Sequence, residues 1–179
     1  MRAYPARIAV VALMLLTAAI PNLARAQAGA QPPLLDVDQI YGFASRALTN
    51  GIKTAREETI KAGVAPIPDA IRRNLATIFP AEMLDRVRYR VGRDGTIGMQ
   101  AFQYGEVQAM TLIDIVVFRS DQDALGNDGL WAHELTHVRQ YDRWGVDEFA
   151  RRYVRDHKAV EDEAYSFEAE YKQRKVGGK

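Results

Sequence analysis

His133-Glu134-Leu135-Thr136-His137 constrains this chain more than any other feature, because these residues can act together only on one local geometry. Two of the three histidines in 179 residues lie in it. On a helix, residues i and i+4 share a face, so both imidazoles can reach one metal ion while the intervening Glu stands beside it as a general base. At ~100° per residue from Leu130, His133 falls near about −60°, His137 near about −20° and Glu134 near about +40°. Leu130, Tyr141 and Trp144 share that arc, and Arg139 and Arg143 lie opposite. The motif therefore sits on the inward face of an amphipathic helix. A lone buried histidine is usually satisfied by core neighbours, but a pair with a glutamate on the same arc points to a metal.

A catalytic zinc takes three protein ligands and keeps an open position, so a third ligand is required. Gln140 and Arg143 occupy the Gly and His positions of an extended HExxHxxGxxH pattern, which removes that source. His157 lies near a predicted helix end, and the acidic run Glu161-Asp162-Glu163 is the better source. In the final helix Val160, Ala164, Phe167 and Tyr171 form an apolar seam. Glu163 lies ~70° from it, Glu161 ~90° and Asp162 almost opposite. The angles favour Glu163 over Glu161 by a small margin, against the alternative that all three acids form a solvated face.

Around the motif the chain reads as helices, a short sheet, then helices, an α+β arrangement. Helical spacing runs from Leu34 to Lys61, with a possible break at Asn50-Gly51, and has no chemistry of its own. That segment would either dock as ordinary core, the favoured role, or cover the site. Ala65-Pro66-Ile67-Pro68 interrupts it, and Asp69 is expected to cap a short helix ending before Pro80. Arg86 to Val91 and Met110 to Phe118 read as strands, with a turn at Gly92-Arg93-Asp94-Gly95. From Leu130 to Lys175 the pattern is helical, punctuated at Gly145 and around Asp156 to Lys158.

The first 26 residues have the layout of a secretory signal peptide. Arg2 and Arg7 precede the uncharged 13-residue run Ile8 to Ile20, and Ala24-Arg25-Ala26 resembles a cleavage site. A bilayer span needs ~20 residues, so no permanent anchor is expected. Cleavage would shift the formal charge from +1 to −2, which with the absence of any basic run argues against nucleic-acid binding. Without cysteine the exported product needs no disulfide, and the expected location is a bacterial periplasm or the cell exterior. The expected divisions are a signal peptide (1–26), a linker (27–33), an N-terminal helical segment (34–64) and the metal-binding domain (65–175). Oligomeric state is not written in the sequence.

HELTH followed by Asp162-Glu163-Ala164-Tyr165-Ser166 resembles the gluzincin pattern of thermolysin-like zinc metallopeptidases. That resemblance implies zinc ligation by His133, His137 and Glu163, with Glu134 as catalytic base. In those enzymes a carboxylate four residues after the ligand Glu orients a ligand His, and here Phe167 holds that place. Over roughly Ile67 to Tyr171 the chain also resembles the metallopeptidase domain associated with extracellular contractile injection systems, the eCIS core domain. The matching features are the Ile67-Pro68 start, a strand before a Gly/Asn loop, and Ala132 to Val138 with Gln140 following. The resemblances imply a mainly helical zincin-like domain with a short sheet before the motif helix.

The expected function is a Zn2+-dependent peptidase acting on protein or peptide substrates. Tyr153, His157 and Tyr165 are the candidate oxyanion donors. The strand Ile113 to Phe118 could pair with an extended substrate, although a buried sheet position is favoured. Two rival readings are a metal-stabilised binding or assembly module that does not cleave, and a metal-free helical adaptor.

Overall fold

The computed structural model describes residues 36–92 and 107–177. The segments expected as signal peptide and linker, and the turn expected beyond Gly92, lie outside the described residues. Helix α1 (Val37–Ala62) opens with a capping box: Asp36 accepts from the Asp38 amide at 2.8 Å, and the Gln39 side chain accepts from the Asp36 amide at 3.2 Å. Ala44, Leu48, Ile52, Ala55 and Thr59 then recur every three or four residues as one buried stripe. The helix runs through Asn50-Gly51 without a break. Packing of that stripe outweighs the roughly 1 kcal/mol that a helical glycine costs.

After β1 (Ala65–Pro66) come α2 (Asp69–Leu75), α3 (Ala81–Arg86) and β2 (Arg88–Val91). Pro68, not Asp69, takes the cap position of α2, and Asp69 is the first helical residue, where its carboxylate favours the helix dipole. Strands β3 (Ala109–Leu112) and β4 (Ile115–Phe118) form a hairpin, followed by α4 (Asp121–Gly126) and α5 (Asp128–Gly177). The sheet order is β1-β2-β4-β3, with β2 and β4 parallel and the outer pairs antiparallel.

All four residues of β4 are buried, because both faces of the sheet are covered. Val116 and Phe118 join α2, α3 and the motif stretch of α5 through Ile71, Leu84, Trp131 and Leu135. Ile115 and Val117 face the other way, with Met110 and Leu112, against Ala55 of α1. Between the strands, Ile113 has φ 65°, which is uncommon for a β-branched residue. Two neighbours hold it there. Ile113 packs in the cluster that contains Tyr141 and Phe149, and Asp114 is gripped by Arg56 through Nε (2.5 Å) and Nη2 (2.9 Å).

The middle of α1 packs on α5: Leu48 and Ile52 meet Tyr141, Phe149, Tyr153 and Val160. The N-terminal helical segment is therefore core. Helix α5 is three stretches, separated by non-helical Gly145 (φ 74°, ψ 163°) and Asp156 (φ −153°, ψ 75°), where the sequence places its punctuation. Asp156 Oδ1 accepts from the Ala159 amide at 3.0 Å and so caps the last stretch. Among the described residues no helix is long and apolar enough to cross a membrane.

The Gly145 dihedrals fall in a region essentially reserved for glycine. Gly145→Ala should lower stability by about 1–3 kcal/mol, read from urea unfolding midpoints. An unchanged midpoint would show that the turn accepts a β-carbon.

Candidate metal centre

The motif stretch of α5 is held at its start by polar contacts that leave little freedom to rotate. Asn127 Oδ1 accepts from the Leu130 amide at 3.0 Å, and Trp131 Nε1 donates to the Ala124 carbonyl at 2.8 Å. Buried Asp128 accepts from Asn74 Nδ2 (2.8 Å), the Tyr171 hydroxyl (3.2 Å) and Lys175. Asp128 thereby ties the first stretch of α5 to its last one and to α2. One turn further on, His133 and His137 project together, with their Nε2 atoms 3.2 Å apart.

The last stretch of α5 supplies the third group. Glu161 places Oε2 at 3.3 Å from His133 Nε2 and Oε1 at 3.6 Å from His137 Nε2. Ligands 2.0–2.2 Å from a tetrahedral metal lie about 3.4 Å from one another, and the imidazole pair and the nearest carboxylate oxygens approach at that scale. All three residues are buried, and their ligand atoms lie within 4.8 Å of one another. Neither oxygen of Glu161 makes a hydrogen bond. A buried carboxylate without a donor is costly, and two imidazoles and a carboxylate are a fitting donor set for a metal ion.

The electrostatics describe a site built around positive charge. Burial works against a charged His133, but Glu161 and Glu168 overcome it and carry the imidazole up to about 10. His137 is raised as well, against its burial, by Glu161. Glu161 resists its own burial and is held down at about 2 by the two imidazoles.

Glu134 lies beside this group without joining it. The Thr111 hydroxyl is 2.7 Å from Glu134 Oε2 and 3.0 Å from its main-chain carbonyl, which fixes the carboxylate against β3. Burial raises the Glu134 carboxyl, partly offset by His133 and His137. A small cleft with a volume of about 20 Å³ reaches His133 and Glu134, lined by Gln108, Ala109, Tyr165 and Glu168 among others. That is room for a water molecule. No residue of α1 lines it.

Glu161, not Glu163, completes the group. Glu163 instead accepts from Gln140 Nε2 at 3.0 Å and Arg143 Nη2 at 2.7 Å, and its side chain is 36% exposed. The seam of the last stretch gave both acids similar angles. The motif helix lies on the Glu161 side of it, and that is set by the turn at Asp156. Gln140 also joins the site: its Oε1 lies 2.8 Å from His137 Nδ1 while its Nε2 donates to the Val160 carbonyl at 3.0 Å.

Of the oxyanion candidates, His157 is exposed. Tyr153 is buried with its hydroxyl lacking a hydrogen bond, and burial with the nearby Glu161 pushes that hydroxyl well up. Tyr165 lines the cleft with its ring centroid 4.5 Å from that of His133. Sequence reasoning missed Thr111, which no local pattern marks. It also missed Glu168, which helical spacing could have revealed, since Glu161 and Glu168 are two turns apart on one face.

Residues 66–145 match the eCIS core domain family. The match runs from β1 through the first stretch of α5, so it includes His133, Glu134 and His137 and stops before Glu161. No curated protein and no solved structure matches the chain.

Titration of the purified chain with Zn2+ or Co2+ should give one metal per chain. Glu161→Gln and His137→Ala should abolish stoichiometric binding, whereas Glu163→Gln should retain it. Loss in the Glu163 variant with retention in the Glu161 variant would reverse the assignment.

Proposed function

We propose that this chain is an exported zinc peptidase that hydrolyses protein or peptide substrates in a bacterial periplasm or outside the cell. The observation that carries the reading is Glu134: a buried carboxylate, fixed by Thr111, next to two imidazoles and at the end of a cleft with room for water. Zinc held by His133, His137 and Glu161 would supply Lewis acidity, which acidifies water and polarises a carbonyl. Glu134 would accept the proton of the attacking water at its carboxylate. Its raised affinity for a proton suits it to hand that proton to the leaving amine. Thr111 keeps the carboxylate from swinging away between the two transfers.

Substrate would enter along β3. Among the described residues this strand pairs on one side only, with β4, so its other edge could take an extended peptide. The strand Ile115–Phe118 cannot do this, because it lies between β2 and β3. Tyr165 is the favoured donor for developing negative charge, since it is the candidate that lines the cleft. Export is supported by the charged, apolar and small-residue segments at the N-terminus.

A second reading, a metal-stabilised binding module that does not cleave, is favoured by the narrowness of the cleft and the near-complete burial of Glu134. One variant separates the two. Glu134→Gln should bind zinc like the wild type and lose about 10²–10⁴-fold of peptide cleavage, measured on a mixed peptide library by mass spectrometry. Absence of cleavage by the zinc-loaded wild type would overturn the peptidase reading in favour of the module.

A further inference from the structure

His133 stands between two carboxylates of one helix face. Its Nε2 is 3.3 Å from Glu161 Oε2, and its Nδ1 is 3.5 Å from Glu168 Oε2. The two glutamates are seven residues apart, which on a helix returns to within about 20° of the same direction. His133 Nδ1 is buried and makes no hydrogen bond of its own, and Glu168 is the acidic group placed at that nitrogen. We propose that Glu168 is a positioning residue for the metal centre: it accepts a hydrogen bond from the Nδ1–H of His133, which keeps the proton on that nitrogen and so presents the Nε2 lone pair to the metal. The inference rests on the metal reading above.

Three features support the assignment. Lys172, one turn after Glu168, binds its Oε1, which leaves Oε2 for His133. The Lys172 stem lies over Gly129 of the motif stretch, where a β-carbon would collide with it. Finally, the other histidine of the group already has an outer partner, Gln140 at 2.8 Å from His137 Nδ1, so without Glu168 the Nδ1 of His133 would have no polar partner. An imidazole with one nitrogen committed to a carboxylate has a fixed tautomer and a more basic second nitrogen. Glu168 thus does from two turns beyond Glu161 what Phe167 cannot do from four residues beyond Glu163.

The test uses the full chain and Co2+ as a spectroscopic probe beside Zn2+, with affinities from chelator competition. Glu168→Gln should weaken both metals about 10–100-fold and shift the Co2+ visible bands, with unchanged unfolding of the metal-free protein. Glu170→Gln, an exposed neighbour paired with Arg174 on the same helix, should change neither. Wild-type affinity and spectrum in Glu168→Gln would overturn the proposal while leaving the metal site intact. Failure of the wild type to bind either metal would overturn the metal reading itself. Nitrogen-15 NMR of the zinc-loaded wild type gives an answer that needs no variant: His133 should be protonated at Nδ1, and the opposite tautomer would refute the role of Glu168.

Discussion

The Glu161 carboxylate is the constraint on which the rest of this structure depends. It is buried, negatively charged and without a hydrogen bond. An unpaired charge in such surroundings costs several kcal/mol, so the fold must keep positive charge beside it. His133 and His137 are on the same continuous run of chain, but Glu161 is 24 residues beyond His137 and faces back toward it. A straight helix would carry those residues about 36 Å apart. The turns at Gly145 and Asp156 cancel that distance, and the contacts of Asp128 with Tyr171 and Lys175 close the outer end of the same loop of helices.

Helix α1 completes this arrangement from behind. Leu48 and Ile52 pack on Phe149, Tyr153 and Val160, which belong to the middle and last stretches of α5. The stretch that carries Glu161 is thus pressed toward the histidines from the side away from the cleft. The Arg56 pair with Asp114 fixes α1 to the β3–β4 turn, and β3 in turn carries Thr111 to Glu134. One helix outside the segment matched to the eCIS core domain therefore supports both the third group of the candidate metal site and the strand beside Glu134.

What the sequence reveals and what it hides follow from the range of each interaction. The pairing of His133 with His137 is legible because spacing of four residues on a helix determines it. Gly145 and Asp156 are legible as breaks because their backbone needs are local. The choice between Glu161 and Glu163 is not local, because two residues differ by only ~20° from the seam and the deciding fact is which side of that seam meets the motif helix. Thr111 is hidden for the same reason, being 23 residues from Glu134 on another element. The continuity of α1 through Asn50-Gly51 shows the converse, where tertiary packing overrides a correct local preference. Glu163 kept a role at the rim, where on the other side of the seam it meets the donors Gln140 and Arg143.

The charge around the candidate site suits a divalent ion. Three carboxylates face the centre: Glu134 beside the histidines, Glu161 between them and Glu168 behind His133. Lys172 offsets one, through Glu168. Two negative charges are left in surroundings that water barely reaches, and a dication would neutralise both, whereas a single-charged ion would leave one uncompensated. Without metal, the same carboxylates hold both imidazoles toward their charged forms despite burial, while the 3.2 Å contact between their Nε2 atoms sets the two rings against each other. A dication bound there would take over the role of that positive charge and release the proton that the imidazole pair holds.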